Sequence, residues 1–94
     1  MYKVFTKPNC QFCVRAKELL DKLNIPYETY HLGNTTEGGD GDYTVTIDQM
    51  FEMIGKPVRS MPQIKVDDKL VGGYNQLVEY LADKGLVNFK GEKI

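Results

Sequence analysis

Two cysteines, Cys10 and Cys13, stand three positions apart near the start of a 94-residue chain that holds no others. Thiols at this spacing can ligate a metal, staple the chain, or exchange disulfides. A structural zinc site needs four ligands, and beyond the pair the chain offers a single histidine, His31, so ligand count argues against zinc. A staple across so few residues would constrain the unfolded chain little. Disulfide exchange needs a thiolate that attacks one sulfur of a disulfide and a second thiol that cleaves the resulting mixed disulfide. Two cysteines across the start of a helix supply both.

The stretch Lys7-Pro8-Asn9-Cys10-Gln11-Phe12-Cys13 follows the apolar run Val4-Phe5 and precedes a helical pattern. It reads as the loop from a first strand into a first helix. The N-terminus of a helix carries unsatisfied N–H groups and a partial positive charge, which favour a thiolate and lower its pKa well below that of a free cysteine. Cys10, just outside the predicted helix, is assigned as the nucleophile. Cys13, inside the first turn, is the resolving thiol. A cysteine pair of this kind beside a βαβ pattern is a redox signature.

The elements that must hold this loop follow from periodicity. Tyr2 to Thr6 is a short β-branched and aromatic run, the first strand. Ala16, Leu19, Leu20 and Leu23 recur on one helix face, with Arg15, Lys17, Glu18, Asp21 and Lys22 on the other. Asn24 and Pro26 stop that helix, and Tyr27 to Leu32 reads as a second strand, which makes a βαβ unit with parallel strands. Gly33 to Tyr43, rich in glycine, reads as one long loop, either a plain surface connection or a partner-recognition loop. Thr46 and Gln49 form a capping box for a second helix with Ile47, Met50, Phe51 and Ile54, closed by Gly55 and Pro57. Gln63 to Val66 and Lys69 to Val71, separated by Asp67-Asp68, predict an antiparallel hairpin. A third helix starts near Asn75, buries Leu77, Val78 and Leu81, and stops at Gly85. The order β-α-β-α-β-β-α predicts a four-stranded mixed sheet in a three-layer α/β/α sandwich.

Length predicts a single domain over residues 1–94, with 1–85 as core and 86–94 as a C-terminal tail. A net charge of −1 gives no bulk attraction to nucleic acid or an anionic membrane. No apolar run has transmembrane length, and Met1-Tyr2-Lys3 leads straight into a strand, not a signal sequence. The expected location is the cytoplasm, where thiols are kept reduced and disulfides are transient. His31 reads as a partly solvated strand-end residue with no motif-based role.

Four features in register carry a family resemblance: Lys7 three residues before Cys10, the Cys10-Gln11-Phe12-Cys13 motif, Arg59-Ser60-Met61-Pro62 ahead of the third strand, and Gly72-Gly73 before the last helix. On these the chain resembles the glutaredoxins, on the minimal thioredoxin-like fold, from Tyr2 to about Gly85. With Ser60-Met61-Pro62-Gln63 and Gly72-Gly73-Tyr74-Asn75-Gln76-Leu77 it looks nearest to those of bacteriophages.

The resemblance implies a glutathione-dependent thiol–disulfide oxidoreductase acting on protein disulfides and glutathione mixed disulfides, with Cys10 and Cys13 as the redox-active disulfide. It implies a cis Pro62 that turns the main chain of Met61 toward the site. Glutathione, as co-substrate, would meet Lys7, Phe12, Arg59, Met61, Pro62, Gly73, Tyr74, Asn75 and Gln76. The implied partners are disulfide-containing proteins, ribonucleotide reductase among them, with the chain a monomer and no resident metal. Three departures stand out: Gln11-Phe12 where the family commonly has Pro-Tyr, Asn75-Gln76 where an acidic or hydroxyl pair is common, and a Gly33–Tyr43 loop longer than usual. The alternatives are a carrier of a glutathione-ligated iron–sulfur cluster and a reductant served by thioredoxin reductase. A thioredoxin proper is disfavoured, because only nine residues precede Cys10 and the chain has no Trp.

Overall fold

The computed structural model describes residues 1–7, 9–32, 43–88 and 92. In chain order its elements are β1 (Tyr2–Thr6), α1 (Gln11–Lys22), β2 (Tyr27–Leu32), β3 (Tyr43–Val45), α2 (Ile47–Ile54), β4 (Gln63–Val66), β5 (Lys69–Gly72) and α3 (Tyr74–Asp83). The strands form one sheet in the order β3-β2-β1-β4-β5. β1 pairs parallel with β2, Val4 opposite Thr29 and Phe5 opposite Tyr30. β4 lies antiparallel to β1, and the β4–β5 hairpin turns at Asp67-Asp68 with Val66 opposite Lys69. Asp67 takes a φ of 55° at that turn. Its carboxylate accepts a 2.7 Å hydrogen bond from the Met1 ammonium, which holds the carboxyl below its ordinary range.

The sheet has five strands, one more than the sequence predicts. Tyr43-Thr44-Val45 pairs parallel with the end of β2, and its first residue stacks on Tyr30 with ring centroids 4.9 Å apart. Three residues are too few to show a period of two, so this edge strand depends on a partner far along the chain. Tyr43 thus belongs to a strand, and residues 33–42 of the expected loop lie outside the described residues.

Alternation along β1 builds two cores. Val4 points to the layer of α1 and α3, where it packs with Ala16, Leu19, Leu20, Ile64, Leu77, Val78 and Leu81. Phe5 points the other way, stacking on Tyr30 at 5.2 Å beside Met50 and Ile54 of α2. The three-layer order follows from this, since each helix buries one stripe against one sheet face. Full burial of a side chain such as Leu20 or Leu77 contributes roughly 1.5–3 kcal/mol. Val87, in the segment assigned to the tail, is 1% exposed and joins the α1/α3 core. α2 is closed at its start by Thr46 and Gln49, each side chain bonded to the other's backbone N–H, and at its end by Gly55 with φ 101°.

Candidate active site

The first strand runs buried to Thr6, and the chain then emerges at Lys7. Asn9 takes a positive φ of 56°, a conformation Asn tolerates better than most residues. The backbone is thereby delivered to Cys10 in extended form, φ −108° and ψ 103°, as the N-cap of α1.

Cys10 and Cys13 are joined as a disulfide, their Cα atoms 5.2 Å apart. The pair is asymmetric. Cys13 is only 2% exposed, whereas Cys10 is partly open to solvent. The Cys13 N–H donates to Cys10 Sγ at 3.1 Å, and the Val14 N–H donates to the Cys10 carbonyl at 3.3 Å. An N–H aimed at Sγ favours its anionic form once the disulfide opens. The sulfur assigned as nucleophile is thus the reachable one. The sulfur expected to resolve, that of Cys13, is buried.

Met61 faces Cys10 from the other side. Its peptide bond to Pro62 is cis, as expected, and its carbonyl oxygen lies 3.5 Å from Cys10 Sγ. The Met61 side chain packs into the α2-side core. Gln63, the next residue but one, donates through Nε2 to the Ser60 carbonyl at 3.0 Å and so ties the turn to β4.

A groove of about 200 Å³ opens beside this turn. Of the residues expected to meet glutathione, Phe12, Met61, Pro62, Gly73, Tyr74, Asn75 and Gln76 line it. Ser60 joins them, a residue of the Arg59-Ser60-Met61-Pro62 motif that is not among the expected contacts. Lys7 and Arg59 are exposed and are not part of the wall. Phe12, half exposed, lies with its ring centroid 5.9 Å from that of Tyr74. Gly73 lies against the turn, the place of a Cβ there being 3.5 Å from the Pro62 carbonyl oxygen, an ordinary contact distance. The Gly73 N–H at the start of α3 donates to Gln76 Oε1 at 3.0 Å. Among the described residues, no lysine, arginine, aspartate or glutamate lines this groove; its polarity comes from main chain, amides, hydroxyls and the positive end of α3.

Elsewhere, His31 sits on β2 with Nδ1 3.0 Å from Thr6 Oγ1. Among the described residues no group of three or more His, Cys, Asp or Glu side chains could hold a metal ion, and no helix is long and apolar enough to cross a membrane.

Comparison with known proteins agrees with this geometry. The family model for glutaredoxin matches residues 3–71. Glutaredoxin 1 of Salmonella typhimurium is 37% identical over 70 residues, 74% of this chain and 77% of that one. The solved structure of reduced Escherichia coli glutaredoxin superposes with a TM-score of 0.66 at 30% identity, covering 87% of this chain and 93% of the other. The buckwheat glutaredoxin–glutathione complex gives 0.65 at 30% identity over 94% of this chain and 74% of its own.

Proposed function

The chain belongs to the glutaredoxin family, a family of thiol–disulfide oxidoreductases, and from that premise we propose that it works with glutathione through the Cys10/Cys13 dithiol. The observation that carries this reading is the position of Cys10 Sγ: at a helix cap, partly open, and beside a groove that ends on the Met61-Pro62 turn.

In the reduced protein the Cys10 thiolate attacks one sulfur of a protein disulfide. A Cys10–substrate disulfide forms, and the other substrate sulfur leaves as a thiolate that takes a proton. Cys13, three residues on in the first turn, gives up its proton and attacks Cys10 Sγ. The second substrate thiol departs, and the Cys10–Cys13 disulfide remains. Two glutathiones then return the dithiol: the first forms a mixed disulfide at Cys10 and frees Cys13, and the second releases Cys10 with oxidised glutathione as product.

The groove supports the proposed placement of glutathione. Its cysteinyl main chain would pair with the Met61 N–H and C=O as an added strand, while Phe12, Pro62 and Tyr74 flank it. The γ-glutamyl carboxylate would lie at the start of α3, over Gly73, Asn75 and Gln76. Lys7 and Arg59, both exposed, would approach the glycyl carboxylate from outside the wall. The same reading takes residues 1–94 as one cytoplasmic, monomeric domain that reduces disulfide-containing proteins, with ribonucleotide reductase as a target.

The test is reduction of hydroxyethyl disulfide with glutathione, glutathione reductase and NADPH. The wild type turns over; Cys10→Ser does not; Cys13→Ser retains turnover of glutathione mixed disulfides but loses that of protein disulfides. Activity undiminished in Cys10→Ser would refute the assignment. Re-reduction faster with thioredoxin reductase than with glutathione would overturn the choice of electron donor.

A further inference from the structure

Across Tyr74 from the first groove lies a second, of about 230 Å³, between α1 and α3. Arg15, Glu18, Leu19, Lys22 and Tyr74 line it, and the Tyr74 ring is common to both grooves. Leu19 is its buried floor; Arg15, Glu18 and Lys22 are exposed and follow one another at helical spacing along α1. The two grooves differ in charge. Among the described residues, the one beside the disulfide is lined by no charged side chain, while this one has two cations and one carboxylate.

The cations are available and one of them is positioned. Among the described residues the one ion pair joins the Met1 ammonium to Asp67, so neither Arg15 nor Lys22 is within ion-pair distance of a described carboxylate. The Arg15 guanidinium lies 5.3 Å from the centroid of the Phe12 ring, which in turn meets Tyr74. A wall therefore runs without a break from the neutral groove to the charged one.

We propose that the α1/α3 groove receives the acidic flank of a polypeptide whose disulfide is attacked by Cys10. The inference rests on the oxidoreductase reading above and adds the class of protein substrate. Along α1, Arg15 lies ~7.5 Å and Lys22 ~18 Å beyond Cys10, to which the substrate cysteine bonds, at 1.5 Å per residue. An extended chain covers about 3.3 Å per residue, so the matching carboxylates stand roughly two to five residues from the substrate cysteine. Glu18 falls between the cations and repels a carboxylate there. The fitting flank is acidic at both ends, with a neutral or basic residue between. Glutathione, a tripeptide proposed for the first groove, is too short to reach Lys22 as well.

The test compares three substrates: hydroxyethyl disulfide, a disulfide peptide with that acidic flank, and the same peptide with its acids replaced by amides. The acidic peptide has a kcat/KM about fivefold above the neutral one at low salt, and the advantage fades as ionic strength rises. Lys22→Glu abolishes the preference and Lys22→Gln weakens it, both with hydroxyethyl disulfide turnover unchanged. Equal kcat/KM for the two peptides in the wild type, or a preference that survives Lys22→Glu, would overturn the proposal. Failure of the wild type on hydroxyethyl disulfide would instead overturn the oxidoreductase reading beneath it.

Discussion

Helices α1 and α2 begin in the same way and do different things. In each the cap residue is extended, and its side chain accepts the N–H of the residue three positions on at 3.1 Å: Cys13 N–H to Cys10 Sγ, Gln49 N–H to Thr46 Oγ1. In α2 the third residue answers with its own side chain, as Gln49 Oε1 accepts the Thr46 N–H at 2.9 Å. In α1 the third residue answers with a covalent bond, the disulfide. Both arrangements place an electron-rich atom at the positive end of a helix. Only the sulfur can ionise near neutral pH and exchange its bond. The surroundings differ as well: Thr46 is exposed with its side chain spent on Gln49, whereas Cys10 Sγ lies 3.5 Å from the carbonyl of Met61, a residue of the groove wall.

Exchanging the two caps gives the largest effect. Cys10→Thr puts the α2 cap on α1; disulfide turnover falls at least about a thousandfold, as expected for loss of a nucleophile, while the hydroxyl still accepts the Cys13 N–H. Circular dichroism of the variant should match that of the reduced wild type. Activity that persisted would mean that the reacting atom is elsewhere.

The glycines beside α2 and α3 sharpen the contrast at a smaller scale. Gly55, after α2, has φ 101° and open space where a Cβ would go, while Gly72, before α3, has φ 122° and a Cβ there would meet the Gln76 Cβ and Cγ at 3.0 Å. Gly55→Ala should cost about 1–3 kcal/mol from backbone conformation alone. Gly72→Ala adds overpacking of about 1–3 kcal/mol and, by displacing Gln76, lowers turnover with glutathione. Urea midpoints separate them, and equal losses would refute the role given to Gln76. The smallest effect is that of Thr46→Ala: about 1 kcal/mol of stability with disulfide turnover unchanged.

What could be read from the chain was local. The caps Cys10 and Thr46, the Asp67-Asp68 hairpin turn and the apolar stripes of all three helices each declare themselves within a few residues. Strand β3 did not, because Tyr43-Thr44-Val45 becomes a strand only by stacking on Tyr30 and pairing with β2. Val87 did not either, since a single valine after Gly85 carries no period and its burial is set by the α1/α3 packing. The same division runs through the site. Phe12, Ser60, Met61, Pro62 and Gly73, all within the motifs, converge on the groove, but Lys7 and Arg59, which the family resemblance places at the same ligand, stay off its wall. The pairing of Arg15 and Lys22 with Tyr74 needs two helices packed side by side.

Met61 gives the two sheet faces a shared part. Its partly buried side chain packs against the core that α2 covers, and its carbonyl oxygen lies 3.5 Å from Cys10 Sγ. The layer with no chemistry of its own therefore acts as the anvil for the layer that has it. Repacking around Met50 or Ile54 would be transmitted, through one residue and not through a chain of them, as a change in the distance between an oxygen and a sulfur.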